Sequence, residues 1–225
     1  KPVPNQWICC IDLIYFYFKK ITTIKKKQYG KKLTSLIIIF LLTGVISGFI
    51  AGLLGVGGGI IIVPISYFIL LYLDYSPVYA MHVAIASSLG IICFTSISSV
   101  RSHLKLGNVN ISILKKWVPG IILGSILGSY CASIISGKIL VNIFIFLAFL
   151  IAINMAFQRD PIILSKDLPR SKLINLIFSS LIGFLSVLIG IGGGSFSVPS
   201  LTMFSKKIHE AVGTSAALGF FIAFP

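Results

Sequence analysis

The chain has 225 residues, of which 56% are hydrophobic and only 11% are charged, and its mean hydropathy is +1.03. Soluble domains are about 45–50% apolar and about 25% charged, so this composition argues against a soluble protein. Several apolar runs approach the roughly 20 residues needed to cross a hydrocarbon core, which predicts an all-α polytopic membrane protein.

The formal net charge of +14 is concentrated in three regions. Residues 101–116 and residues 158–172 each carry four Lys or Arg. Seven lysines lie within residues 19–32, just before the first long apolar run: Lys19, Lys20, Lys25, Lys26, Lys27, Lys31 and Lys32. Basic segments beside apolar spans are typical of the cytoplasmic face, where they attract anionic lipid. We therefore expect membrane lipid as a partner and no nucleic acid, since no nucleic-acid motif accompanies the charge.

Eight apolar segments follow one another along the chain, and in lipid each should be a helix. They are residues 33–54, 60–73, 80–100, 117–136, 139–157, 173–189, 195–204 and 211–224. The second and the seventh are shorter than a span and follow a glycine cluster, which predicts half-helices or arms of re-entrant hairpins. If the basic regions share one face, an even number of crossings separates Lys32 from Arg101. The Gly-rich region is therefore not expected to contribute two complete spans. Together the segments predict about seven to eight transmembrane or half-spanning helices.

These segments predict one membrane domain with three parts. The parts are a basic N-terminal segment (1–32), a first repeat plus connecting helix (33–136), and a connecting helix plus second repeat (137–225). Residues 7–18 are apolar but only about half a span long, which predicts an interfacial or incomplete segment. Because the chain begins at Lys1 and stops at Pro225 inside an apolar run, we expect truncation at both ends.

Two stretches of the chain repeat one another, and each combines glycines with a following proline. They read GLLGVGGGIIIVP at residues 52–64 and VLIGIGGGSFSVP at residues 187–199. Downstream, MHVAIASSL resembles IHEAVGTSA, which places His82 opposite His209. Broken elements at matching positions of two halves are the best sequence pointer to the substrate site of a transporter.

The repeated glycines predict a site for an anion. Glycine allows positive φ, so a helix can break there, and the free N–H groups of the next half-helix carry a partial positive charge. The candidate substrate-binding residues are Gly55, Gly57, Gly58, Gly59, Pro64, His82, Ser87 and Ser88, with their counterparts Gly190, Gly192, Gly193, Gly194, Pro199, His209, Thr214 and Ser215. The histidines would pair with the anion or carry a proton. The alternatives are helix packing for the glycines, an interfacial position for the histidines and bonding to their own helices for the hydroxyls.

Other features narrow the class of protein. No charged residue lies well inside a full span, which favours a small anion held by dipoles over a metal cation. The four cysteines lack the spacing of a metal site, the three histidines are scattered, and the five acids form no pair. We expect no metal, no cofactor and no enzymatic activity. Two glycine series at four-residue spacing predict close helix packing: Gly44, Gly48 and Gly52, and Gly120, Gly124 and Gly128.

Taken together, the motifs resemble the TauE/SafE family of sulfite exporter-like membrane permeases. The resemblance runs from about Leu33 to the end and lies in the doubled GFIAGLLGVGGGIIIVP and GFLSVLIGIGGGSFSVP, the Ala-Ser-Ser and Gly-Thr-Ser helices after them, and HLKLGNV followed by PGIILGSILGSY. It implies a multi-pass carrier of the bacterial inner cell membrane for sulfite, sulfoacetate or related sulfur-containing or organic anions. It also implies alternating access coupled to protons or another ion. The second half departs from the first, because Val187 stands opposite Gly52 and Ser186 opposite Ala51.

Three hypotheses are consistent with these observations. The first is a secondary carrier of a small anion, with the two broken-helix regions meeting near the membrane midplane. The second is a membrane scaffold or assembly subunit, whose glycines serve only packing and which moves no solute. The third is an anion channel, whose flux would not saturate with anion concentration.

Overall fold

A computed structural model describes residues 29–54, 58–157, 169 and 171–225. Within these ranges the regular structure is entirely helical, which confirms the predicted fold class. The helices are α1 (Tyr29–Leu54), α2 (Gly59–Tyr72), α3 (Pro77–Lys105), α4 (Ile111–Ile134), α5 (Gly137–Phe157), α6 (Lys172–Leu188), α7 (Gly194–Met203) and α8 (Ile208–Ala223). Each helix coincides with one predicted apolar segment. The apolar stretch at 7–18 and most of the N-terminal lysines lie outside the described residues.

Helix length separates full spans from half-helices. Helices α3, α4 and α5 are long and apolar enough to cross a membrane. By contrast, α2 has 14 residues and α7 has 10. At about 1.5 Å per residue, neither reaches the roughly 30 Å of a hydrocarbon core. The prediction that a half-helix follows each glycine cluster is therefore confirmed.

Residues that favour helix ends mark both ends of α3 and the start of α4. Both helices therefore extend beyond the apolar segments that predict them. Pro77 occupies the first turn of α3, where its missing N–H costs least. Gly107, with φ of 68°, follows the last turn of α3 in the left-handed conformation. The Asn110 side-chain oxygen then accepts a 3.1 Å hydrogen bond from the Ile113 amide and caps α4.

The most extensive interface in the described chain joins α4 and α6. The two helices run in the same direction, because Trp117 contacts Asn175 near their starts and Gly128 contacts Phe184 near their ends. A Cβ atom on any glycine of the 120/124/128 series would meet the α6 backbone. Packing is thus confirmed as the role of this series.

The glycine series of α1 behaves differently. An added Cβ on Gly44 or Gly48 would meet no atom within 4 Å among the described residues, and neighbouring side chains such as Val45 are exposed. The packing prediction is therefore wrong for these two positions within the described chain. The surroundings of Gly52 lie outside the described residues.

Helices α6 and α7 form a hairpin that returns to the membrane face where it starts. Its first arm begins beside the start of α4, as the Trp117–Asn175 hydrogen bond shows. Its second arm leads into α8, whose Thr214 hydroxyl accepts a 2.9 Å hydrogen bond from the amide of Asn110, just before α4. Both ends of the hairpin therefore lie at the face that carries the α3–α4 loop.

The first half contains a related reversal that ends at the opposite face. Gly58 lies beside Ser47, so the chain folds back between α1 and α2. Helix α2 then ends next to the start of α3, which contacts Gly137 at the junction of α4 and α5. The half-helices α2 and α7 thus end at opposite faces, and both end with a left-handed residue, Asp74 or Ser205, at φ of 57° and 58°. The two related halves therefore lie in inverted orientation, which the sequence did not predict.

Candidate functional site

The tips of the two hairpins touch inside the protein. Gly59, the first residue of α2, is buried against Gly190 and Ile191, which follow α6. A Cβ atom on Gly59 would meet the Gly190 carbonyl oxygen and would lie 2.8 Å from the Cα atom of Ile191. Only a residue without a side chain allows two backbones to approach so closely.

The turn after α6 has a defined hydrogen-bond pattern. The Gly190 amide donates to the Val187 carbonyl at 3.1 Å, and the Ile191 amide donates to the Ser186 carbonyl at 3.0 Å. With Gly190 at φ of +64°, this is a Schellman motif, which requires a left-handed residue at that point.

Ser88 of α3 holds this turn in place. Its hydroxyl is buried and donates a 2.8 Å hydrogen bond to the Gly190 carbonyl oxygen. A residue predicted to bind substrate thus joins the first half of the chain to the glycine turn of the second half. Its neighbour Ser87 is exposed on the surface of α3, away from the contact between the tips.

The start of α7 is enclosed by two full-length helices. A Cβ on Gly192 would lie 3.1 Å from a side-chain carbon of Ile92 in α3. A Cβ on Gly193 would lie 3.3 Å from both the Ser215 carbonyl oxygen and the Gly219 amide nitrogen in α8. The N–H groups of the first turn of α7 have no partner within their own helix. This helix terminus therefore carries a partial positive charge inside the protein.

The start of α2 is organised through α1. Gly58 is the N-cap of α2, and its carbonyl oxygen accepts a 3.1 Å hydrogen bond from the Ser47 hydroxyl. Gly55 and Gly57 lie outside the described residues. Pro64 and Pro199 occupy the second turn of α2 and α7 rather than the first, since each is the sixth helical residue.

The other candidate residues lie at the membrane faces rather than at the tips. His82 donates from Nε2 to the Ile135 carbonyl at 3.0 Å, which joins α3 to the end of α4. His209 is exposed and lines a surface cleft together with Glu210 and the α3–α4 loop. Glu210 accepts a 2.6 Å hydrogen bond from the side-chain amide of Asn110. The Thr214 hydroxyl oxygen accepts the hydrogen bond of the Asn110 amide, as described above, which ties this side chain to the α3–α4 loop.

Two serines near the second tip were missed by the sequence reasoning. The hydroxyl groups of Ser186 and Ser197 are buried and have no hydrogen-bond partner in the described part of the chain. Ser215, a predicted site residue, shares this property. Their signal in the sequence was the serines of LSVLIGIGGGSFSVP, where the first repeat has Ala51 and Ile62 at the equivalent positions of Ser186 and Ser197.

Comparisons with known proteins agree with this architecture. The family model described as "Sulfite exporter TauE/SafE" matches residues 40–225. Among curated proteins, the chain is 35% identical over 185 residues to a "Probable membrane transporter protein" of Haemophilus influenzae, covering 81% of this chain and 69% of the relative. A relative described as a probable membrane transporter protein in Methanocaldococcus jannaschii is 32% identical, over 80% of this chain and 67% of the relative. Another in Bacillus subtilis is 30% identical, over 79% of this chain and 72% of the relative. No solved structure matches the chain.

Proposed function

Since the chain belongs to the TauE/SafE family of membrane transporters, we propose that it carries a small anion across the membrane, sulfite or a related sulfur-containing or organic anion. The site would lie at the start of α7, beside the contact between the hairpin tips. The carrier would work by alternating access and couple to protons or another ion. It would reside in the inner cell membrane.

One observation carries this proposal: two hairpins that end at opposite faces touch tip to tip, with Gly59 against Gly190. Each tip begins a half-helix, whose free N–H groups suit a negatively charged solute. Transporters with inverted repeats place substrate sites where such broken helices meet. An anion at this point would be screened from both faces by the hairpins.

Electrostatics also favour an anion held by dipoles. The residues that surround the tip contact are neutral, namely Ile92, Ser88, Ser215 and Gly219. Charged side chains of the described chain lie toward the helix ends, such as Arg101 and Lys105 in a groove at the end of α3. These cations would attract anions toward one face, while the interior site would bind them through N–H and O–H groups.

Transport in proteoliposomes tests the proposal. Purified protein should move at least one anion of a panel of sulfite, thiosulfate and sulfoacetate under an imposed pH gradient, with a rate that saturates with concentration. Gly59→Ala should abolish the flux, whereas Gly48→Ala, which meets no atom within 4 Å, should preserve it. A rate that rises linearly with concentration would instead indicate a channel. No flux of any anion from folded protein would favour a scaffold.

A further inference from the structure

Three buried hydroxyl groups around the second hairpin tip have no hydrogen-bond partner among the described residues. Ser186, Ser197 and Ser215 are at most 1% exposed, and their hydroxyl oxygens make no hydrogen bond in the described part of the chain. Buried polar groups are nearly always bonded, and an unpaired one costs about 1–3 kcal/mol. Such groups need an explanation, and a bound ligand supplies one.

Other buried or partly buried serines of these and neighbouring helices donate to a carbonyl group of their own helix. Ser200 of α7 donates to the carbonyl four residues earlier at 2.7 Å. Ser179 of α6 and Ser125 of α4 do the same, also at 2.7 Å. This local bond is the usual way for a serine within a helix to satisfy its hydroxyl. Ser197 and Ser215 do not use it.

Ser197 belongs to the start of α7, and Ser215 of α8 lies beside it. Ser197 follows the first turn, and helical Cα–Cβ bonds tilt toward the N-terminus, so its hydroxyl group leans toward the start of α7. Ser215 contacts the same point from α8, because its carbonyl oxygen lies 3.3 Å from a Cβ position on Gly193. Two unpaired hydroxyl donors thus accompany one helix terminus of positive partial charge.

The first hairpin lacks the equivalent donors. Ser215 corresponds to Ser88, but the Ser88 hydroxyl is already bonded to the Gly190 carbonyl. Ser197 corresponds to Ile62, and the start of α2 reads Gly-Ile-Ile-Ile where α7 reads Gly-Ser-Phe-Ser. The two halves share a fold but offer an anion different chemistry.

We infer that the anion-binding subsite is asymmetric: the oxyanion binds at the start of α7, and its oxygens accept hydrogen bonds from the hydroxyl groups of Ser197 and Ser215. The tip of α2 closes this subsite as an apolar surface and donates no side-chain hydrogen bond. This inference rests on the proposed function and assigns specificity for oxyanions to the second half of the chain.

The test compares Ser197→Ala and Ser215→Ala with Ser200→Ala, a matched control on α7 whose hydroxyl is satisfied by its own helix. For sulfite flux in proteoliposomes, KM should rise about tenfold or more in each of the two variants, because a hydrogen bond to a charged group is lost. The control should keep the wild-type KM. Thermal unfolding of the detergent-solubilised proteins supplies a second readout. Without anion, Ser197→Ala and Ser215→Ala should be as stable as wild type. Sulfite at about 10 to 100 times the wild-type KM should raise the unfolding temperature of both variants less than that of wild type.

Failure of this inference can be told apart from failure of the proposed function. If wild-type protein transports sulfite or another oxyanion of the panel and both variants keep its KM and its anion-induced stabilisation, the asymmetric subsite is refuted. A lower unfolding temperature of both variants in the absence of anion would also refute it, because the hydroxyls would then be structural. If folded wild-type protein transports no anion, the proposed function fails, and the inference fails with it.

Discussion

Replacing Gly59 by alanine probes the contact on which the site depends. The new methyl group would meet the Gly190 carbonyl oxygen and lie 2.8 Å from the Ile191 Cα atom. Both neighbours are backbone atoms of a turn that is fixed by its own hydrogen bonds and by Ser88. A change of side-chain rotamer therefore cannot relieve the clash, and the two hairpin tips have to separate.

The size of the effect follows from these distances. Ordinary contacts of a Cβ begin at 3.4 Å, so the tips would have to move apart by at least 0.6 Å at Ile191. Overpacking of this kind costs about 1–3 kcal/mol. Alanine at a helical position recovers at most about 1 kcal/mol relative to glycine. We expect a net loss of about 2 kcal/mol in the free energy of unfolding, together with loss of anion flux.

Thermal unfolding in detergent and flux in proteoliposomes measure the two consequences. Gly48→Ala is the control, since it introduces the same methyl group into a helix where no described atom lies within 4 Å. It should leave the unfolding temperature and the flux at or slightly above the wild-type values. Wild-type stability and flux in Gly59→Ala would refute the tip-to-tip contact as the basis of the site.

Three further substitutions test other contacts. Ser88→Ala removes the 2.8 Å bond to the Gly190 carbonyl and should cost about 1–2 kcal/mol in thermal unfolding, whereas removal of the exposed Ser87 hydroxyl should cost nothing measurable. Gly124→Ala places a methyl group against the α6 backbone and should abolish the monodisperse peak in size-exclusion chromatography, because two backbones must separate; a normal peak would contradict the α4–α6 packing. Asn110→Ala removes the α4 cap and the bond to the start of α8 and should lower unfolding stability by about 1–2 kcal/mol; unchanged stability would contradict its bridging role.

Much of the fold could be predicted from the sequence, because a hydrocarbon environment leaves few choices. Apolar runs have to be helices there, and each of the eight runs forms one. Helix ends were less predictable, since polar caps such as Asn110 extend α4 beyond its apolar run. The repeated glycine motif also identified the turn after α6, where Gly190 has the positive φ that glycine favours.

The composition of the site could be predicted only in part, because sequence shows which groups can donate a hydrogen bond but not which are already bonded. His82 and Thr214 looked like ligands, yet in the structure His82 donates from Nε2 to the Ile135 carbonyl and the Thr214 hydroxyl oxygen accepts from the Asn110 amide. Ser197 differs from its equivalent in the first half, Ile62, so matching the two repeats did not mark it as a site residue. Its unpaired, buried state became visible only with the surrounding helices in place.

Equivalent positions in a duplicated protein need not have equivalent roles, and Ser88 and Ser215 show why. A hydroxyl has a single proton to donate. The Ser88 hydroxyl already donates its proton to the Gly190 carbonyl. It could donate to an anion only if the hydrogen bond that joins the two halves were broken. The Ser215 hydroxyl makes no hydrogen bond in the described chain. It could therefore donate to an anion without breaking a hydrogen bond of the fold. The duplication therefore accounts for the contact between the two tips, and in our proposal the differences between the halves assign the anion to the second tip.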